Sequence, residues 1–327
     1  MVFKLHKIKT VLRHLKKSWP DSAQVKKHCP RNNRLKIYFS LLYWFFFYGN
    51  DLNDYCTFRF WERTHKEKKS YISLRRNDRL RFALSTPEVY QLFLDKAKFN
   101  LRFSKYINRE WLTTDNATET DIEDFIFRTK KIIAKPLSDF GGHGIMKFDS
   151  DMPAISYIQQ LAQNNYILEE CIENAPSIKE IAPNSLNTIR IVTLIDRDGI
   201  LHILAALLRM GNGKSFTDNY HDGGMACAID IKTGCLKGKA FGMDCMEFER
   251  HPLSDIKFDG FHIPEFDTCM KIVRKIAFEE PSARYVGWDF AITPHGIDVI
   301  EGNIPPGEDI TQISAGRGLW YEVNELI

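Results

Sequence analysis

Apolar residues recur at helical spacing from the start of the chain, at Leu5, Ile8, Leu12, Leu15 and Trp19, while Lys4, Lys7, Lys9, Arg13, Lys16 and Lys17 mostly lie off that stripe. The spacing predicts a basic amphipathic helix. Among the twelve residues from Ile37 to Tyr48 only Ser40 is neither apolar nor aromatic. That falls short of the roughly 18 needed to span a bilayer as a helix, so a buried or interfacial helix is predicted. Asp51 to Arg81 is polar and irregular, with a charge cluster at His65 to Lys69, and reads as a solvated surface ending at a boundary near Ser85. Thr86 then opens a helix with Pro87 and Glu88 in its first turn, and Val89, Leu92, Phe93, Lys96 and Phe99 follow at helical intervals. Residues 113 to 121 read as a loop.

Beyond residue 130 the pattern changes to strands: KIIAK, GIMKF, YILEE, TIRIVTLI, ILHILAALLRM, MACAIDI, YVGWDFAIT and IDVIEGN. Asp198-Gly199, Lys232-Thr233-Gly234 and Pro294-His295-Gly296 are turn signals between consecutive candidates, so hairpins and largely antiparallel sheets are expected. Helices are expected at about 152 to 163 and 266 to 278. The result is an α+β class with a helical front third, not a regular alternation around a parallel sheet.

The length of 327 residues suits two domains or subdomains at roughly 150 residues each. Seven scattered cysteines form no CxxC pair, which points to a reduced cytosolic compartment and away from structural zinc. The net charge of +3 hides an asymmetry, because residues 1 to 36 hold eleven Lys or Arg and only Asp21 as an acid. That segment suits peripheral contact with an anionic membrane surface, or a helix packed on its own protein with a solvated basic face. It has no uninterrupted apolar stretch of the kind a signal peptide needs. The remainder is acidic, which argues against nucleic acid as a partner.

Four pieces carry chemistry. In KPLSDFGGHGIMKF an apolar strand ends in Lys135, and Gly141, Gly142 and Gly144 form a loop whose backbone N–H groups can approach phosphate oxygens. Its context is neither that of GxxxxGK[ST] nor that of GxGxxG, and a glycine-rich hairpin can also be a plain turn. Glu301 and Asn303, two apart on a strand, leave one face. With a three-residue turn at Pro294, His295 and Gly296, Thr293 pairs with Ile297 and Asp289 falls opposite Glu301. Two carboxylates and an amide oxygen then converge as oxygen donors suited to Mg2+ between protein and nucleotide. Arg190 lies within an apolar strand and Arg209 ends another, each a planar donor for phosphate or carboxylate, or an ion-pair partner for a structural acid. Glu169 and Glu170, at a strand end before Cys171 and Ile172, form a segment that can hydrogen-bond a purine through its backbone.

In this order the pieces resemble the ATP-grasp superfamily, and specifically its sugar-transfer-associated branch from bacterial polysaccharide gene neighbourhoods. The likeness runs over about 86 to 320, through DKAKFN, AKPLSDFGGHGI, LEECI, PNSLNTIRIVT, RMGNGKSFTDNYHDGG, VGWDFAIT with IEGN, and the passage from His251 to Pro264. The resemblance implies a helical region 1–85 followed by two α+β subdomains, 86–172 and 173–327, with ATP between them. It implies that Lys96 and Lys135 contact phosphates, that the Gly141, Gly142 and Gly144 loop covers them, and that Glu169, Glu170, Cys171 and Ile172 form the adenine hinge. It further implies that Asp289, Glu301 and Asn303 hold Mg2+, and that Arg190 and Arg209 face the γ-phosphate or the carboxyl being activated. Two positions depart from the pattern: Asn174-Ala175 replaces a Gln-His pair, and His143 stands where Lys or Arg is common. The activity implied is a carboxylate–amine ligase working through an acyl phosphate, with a small-molecule acid such as a uronic acid or sugar nucleotide and an amine as substrates. An ATP-grasp kinase and a nucleotide-binding scaffold remain open.

Overall fold

The computed structural model describes residues 2–115, 117–137, 144–149, 157, 161, 164–213, 218, 220, 223–243 and 246–327, with side chains from residue 13 onward. Of the expected helix at 152 to 163 only residues 157 and 161 are described, and the phosphate-loop residues Gly141 and Gly142 and His143 lie outside the described residues.

Helices α1 (Val2–His28) and α2 (Arg34–Tyr48) match the two apolar stretches that open the chain. They run antiparallel, with Arg34 Nη2 donating to the Trp19 carbonyl at 3.0 Å and His14 stacked on Phe45. The stretch expected as irregular surface is instead largely helical, as α3 (Leu52–Thr57), α4 (His65–Ser70) and α5 (Leu74–Leu84). Each follows a capping residue, Asp51, Thr64 or Ser73, whose side chain accepts a backbone N–H three residues on. Caps rather than apolar stripes define these short helices, so periodicity overlooks them. The helix predicted from Thr86 to Phe99 is likewise two, α6 (Pro87–Leu94) and α7 (Lys96–Arg102). Asp95 ends the first and caps the second, accepting from the N–H groups of Ala97 and Lys98 at 3.1 Å each.

Two antiparallel sheets follow. The smaller orders β1 (Trp111–Thr113), β4 (Tyr166–Glu170), β2 (Lys131–Pro136) and β3 (Met146–Asp149) side by side. Helix α8 (Glu119–Thr129) buries Ile122, Phe125 and Ile126 against Ile132, Ala134 and Leu168 of that sheet.

The larger sheet comprises β5 (Thr188–Ile195), β6 (Leu201–Met210), β7 (Met225–Ile229), β8 (Leu236–Gly242), β9 (Glu247–Phe248), β10 (Tyr285–Thr293) and β11 (Gly296–Asn303), in the order β11-β10-β5-β6-β7-β8-β9. The expected turn signals join β5 to β6, β7 to β8 and β10 to β11. Short helix α9 (Pro176–Lys179) precedes this sheet, and α10 (Phe266–Ile276) interrupts its strand succession. The chain ends in α11 (Glu308–Ala315) and α12 (Trp320–Leu326).

Strand alternation gives the larger sheet two different faces. Ile189, Ile191, Trp288 and Phe290 turn toward the main core, where they meet Met270, Val273 and Ile276 of α10 and the rings of Phe93, Phe99 and Phe103. Val192, Leu194 and Tyr285 belong to a second core with Ile72, Leu80, Leu84, Leu319 and Val323. The backbone N–H of Arg284 also donates to the Leu84 carbonyl at 3.0 Å. The boundary expected near Ser85 coincides with the end of α5, yet a shared core crosses it. A third core, built on Val25, Ile37, Leu41, Trp44 and Phe60, belongs to the N-terminal helices alone.

Candidate functional site

The Glu-Gly-Asn run of β11 is shaped by both faces of its sheet. Gly302 pairs with Trp288, and a Cβ there would meet Phe93 Cε1 at 2.6 Å, so the aromatic packing of α6 admits no side chain at this position. Glu301 and Asn303, on the opposite face, are thereby set beside β10. Asp289 does lie opposite Glu301, but by a route other than the one the sequence suggests. The turn has two residues, Pro294 and His295, because Thr293 pairs with Gly296. A bulge then inserts Ile300 between the partners of Phe290 and Asp289 and restores the register.

Arg190 sits directly across from Asp289 on the neighbouring strand. It donates from Nε to Oδ1 and from Nη2 to Oδ2, both at 2.7 Å, and from Nη1 to the Pro306 carbonyl at 3.2 Å. Gly307 takes a φ of 78°, and a Cβ on it would lie 2.8 Å from that same Nη1, so the turn into α11 leaves room for the guanidinium. Arg209 adds a third donor to Asp289, from Nη1 to Oδ2 at 2.7 Å, and also approaches Asp218 at 3.4 Å. The Thr188 hydroxyl donates to Asp218 in turn.

Asp289 is thus ionised between two cations. Burial pushes its carboxyl up, but Arg190 and Arg209 outweigh burial and hold it below the usual carboxylate range. Burial pushes Arg209 down, and Asp218 and Asp289 more than reverse that. Its Nε is nonetheless a buried donor without an acceptor among the described residues. Glu301 differs from Asp289: its side chain is 45% exposed against 2%, it approaches Arg190 only at 3.9 Å, and it accepts from Asn303 Nδ2 at 3.1 Å. Asp289, Glu301, Asn303, Arg190 and Arg209 therefore lie together.

Of the remaining expected residues, Lys96, Lys135 and Gly144 gather at the end of β2, whereas the expected hinge lies beside its start, where Glu170 pairs with Ile132. Lys96, the first residue of α7, donates from Nζ to the Pro136 carbonyl at 2.9 Å. Lys135 Nζ lies 2.5 Å from Glu169 Oε2. Gly144 has a φ of 73°, and a Cβ on it would reach Pro136 Cγ at 3.0 Å, so the chain returns closely over the strand end. At the expected hinge, the N–H groups of Glu170 and Cys171 already donate to the carbonyls of Glu110 and Lys131. Asn174, where the family pattern has glutamine, is buried and structural: it accepts from Asn187 N at 2.6 Å and donates to the carbonyls of Asn187 and Ile292.

Sequence reasoning missed the residue that organises this corner. Arg109, buried just before β1, donates from Nε and Nη2 to Glu169 at 2.9 and 2.6 Å, from Nη1 to Asp298 at 2.9 Å, and to the carbonyls of Val299 and Ile300. Asn100 of α7 also donates to Glu169, at 3.1 Å. Burial pushes Glu169 up, while Arg109 and Lys135 pull it far below the ordinary glutamate range. Glu169 is therefore an anchor for Lys135 rather than a surface acid. Because Arg109 bonds both β4 and the bulged part of β11, it also joins the two sheets. Asp298, embedded in an apolar strand, was the one signal in the sequence that a buried cation should face it.

No curated protein sequence matches the chain. Solved structures similar to it include an N5-carboxyaminoimidazole ribonucleotide synthetase in its ADP complex, with 10% identity, a TM-score of 0.45, and coverage of 72% of this chain and 52% of that one. D-alanyl-alanine synthetase A from Vibrio cholerae shows 12% identity and a TM-score of 0.46, with 73% and 63% covered. The ATP-grasp ligase PsnB, complexed with a phosphomimetic variant of a minimal precursor, Mg and ADP, shows 14% identity and a TM-score of 0.39, with 70% and 57% covered. The chain spans between half and two thirds of the length of these structures. The model of the sugar-transfer associated ATP-grasp family matches residues 157–326, more than half of the sequence, and the chain belongs to that family.

Proposed function

We infer that the protein is an ATP- and Mg2+-dependent carboxylate–amine ligase, which activates a small-molecule acid as an acyl phosphate and passes it to an amine to form an amide. The observation that carries this reading is the convergence of Asp289, Glu301 and Asn303 with two arginines at one end of the large sheet, in a chain of the ATP-grasp family. The donor set fits a hard cation: every candidate ligand is an oxygen, and the half-exposed Glu301 leaves an open side for phosphate and water. Asp289, Glu301 and Asn303 would hold Mg2+, which when bound neutralises charge on a transferring phosphoryl group.

The chain's own residues supply the rest. Arg190 orients Asp289 and keeps it ionised. The Nε of Arg209, without an acceptor among the described residues, suits an oxygen of a phosphate or of the carboxyl being activated. Lys96 and Lys135 bring positive charge to the strand end that leads into the glycine loop, and Glu169 fixes the second of them. Such chemistry needs no protein nucleophile. The family's association with sugar transfer supports a uronic acid or sugar nucleotide as the acid, an amino acid or small amine as its partner, and a place in surface-polysaccharide synthesis.

Screening uronic acids and sugar nucleotides against amines, with ADP release and product mass as readouts, tests this. ADP release that requires both acid and amine, with a product lighter than the two by one water, is expected. A phosphorylated sugar formed without any amine would instead make the protein a kinase.

A further inference from the structure

Helix α2 is apolar on every side, but the protein covers only part of it. Ile37, Leu41 and Trp44 are buried. Leu35, Phe39, Tyr43 and Phe47 are exposed, Phe39 at 63% and Phe47 at 71%. Residues four apart share a helix face, so these side chains form one continuous stripe. The helix has 15 residues. That is about 22 Å, well short of a hydrocarbon core of about 30 Å. No described helix is long and apolar enough to cross a membrane.

Cations lie on the elements packed against α2 and at its ends. Helix α1, packed antiparallel along α2, exposes Arg13, Lys16, Lys17, Lys26 and Lys27. Arg34 lies over the Trp19 ring at 4.0 Å. At the far end of α2, Lys68 and Lys69 approach the rings of Trp44 and Tyr48 at 5.8 and 5.6 Å, and Arg75 donates to the carbonyls of Phe45 and Phe46. Asp21 is the only acid in the first 50 residues. Two copies meeting through this face would bring like charges together. A surface that is anionic outside and apolar beneath complements it on both counts.

We propose that the α1–α2 hairpin docks the protein peripherally on an anionic lipid surface, with α2 lying in the plane, Phe39, Tyr43 and Phe47 entering the headgroup boundary, and the nearby lysines and arginines facing lipid phosphates. The proposal goes beyond the ligase reading and does not depend on it. It also differs from contact by charge alone through residues 1–36, because ring insertion survives salt that screens the cations.

Sedimentation of the full-length protein with vesicles of phosphatidylcholine, with and without phosphatidylglycerol, tests it across a salt series. Binding to the phosphatidylglycerol vesicles is expected, reduced but not abolished by salt, with much weaker binding to phosphatidylcholine alone. F39S/F47S alters two exposed rings and should keep its circular dichroism while losing partition about tenfold or more. Should that pair fail to fold, F47S alone carries the same comparison. Undiminished binding of the folded variant would leave charge alone and overturn the insertion. Equal binding to both vesicle types would overturn the anionic requirement. Absence of vesicle binding overturns the proposal outright, and a concentration-dependent dimer lost in F39S/F47S would then assign the face to a second copy.

Discussion

At the scale of single residues, the two acids that face each other across β10 and β11 are not equivalent. Glu301 is half exposed and makes only a long contact with Arg190, so Glu301→Gln should leave the melting temperature of the nucleotide-free protein unchanged while turnover at saturating Mg2+ falls by orders of magnitude. Asp289→Asn should behave differently, because it leaves the buried guanidiniums of Arg190 and Arg209 without their shared anion, and stability falls together with activity. A Glu301→Gln variant that melts early yet still turns over would remove Glu301 from the metal site. Arg109 is the opposite kind of residue, engaged wholly within the protein. Arg109→Met should cost about 3–5 kcal/mol in denaturant unfolding, since Glu169 and Asp298 would keep buried charges with less to compensate them. Arg109→Lys should recover little of that, because one ammonium cannot reproduce a fork that meets two carboxylates and two carbonyls.

At the scale of elements, what the sequence discloses depends on the range of the interaction that defines each one. Strands β4, β5 and β10 are legible to the residue because apolar runs and turn residues are local signals. The meeting of Asp289 and Glu301 is legible for the same reason, even though the turn is one residue shorter than expected and a bulge makes up the difference. The helices between Asp51 and Leu84 are hidden because caps start them and distant contacts finish them. Arg109 is hidden because its partners lie 60 and 189 residues away. Gln312 on α11 is the same case: its Oε1 accepts from the N–H groups of Ile72 and Leu319, and its Nε2 donates to the carbonyls of Ile72 and Glu308. Nothing near position 312 announces a hub. Gln312→Ala would strand buried backbone groups on both sides of the seam between the N-terminal helices and α11, at about 1–3 kcal/mol for each group left unsatisfied. The expected result is a lower melting temperature and faster proteolytic cleavage between α4 and α5, and an unchanged cleavage rate would show that the seam is held by its apolar core instead.

At the scale of the whole molecule, that seam also carries an unusual electrostatic load. Asp54 of α3 is pushed up to about 8 by burial, with Asp51 and Asp309 adding to the effect. Glu308, at the start of α11, is also pushed up to about 8 by burial, although the Tyr285 hydroxyl donates to it and pulls the other way. In the unfolded chain both acids titrate near their ordinary values of roughly 4, so across the interval up to about 8 the folded protein binds more protons than the unfolded one. Stability on this account is full below the unfolded values and is lost progressively as pH rises from there to about 8. Glu169 and Asp289, held below the ordinary range, act in the opposite sense and lose their contribution only in strong acid. The melting temperature should therefore peak in mildly acidic buffer and decline toward pH 8. Glu308→Gln keeps the shape and an acceptor for Tyr285 but removes one titrating group. It should melt close to the wild-type temperature at pH 5 and clearly above it at pH 8.5, making the decline shallower. Parallel melting profiles for the two proteins across that range would show that Glu308 is ionised in the folded state and that its burial is compensated in another way.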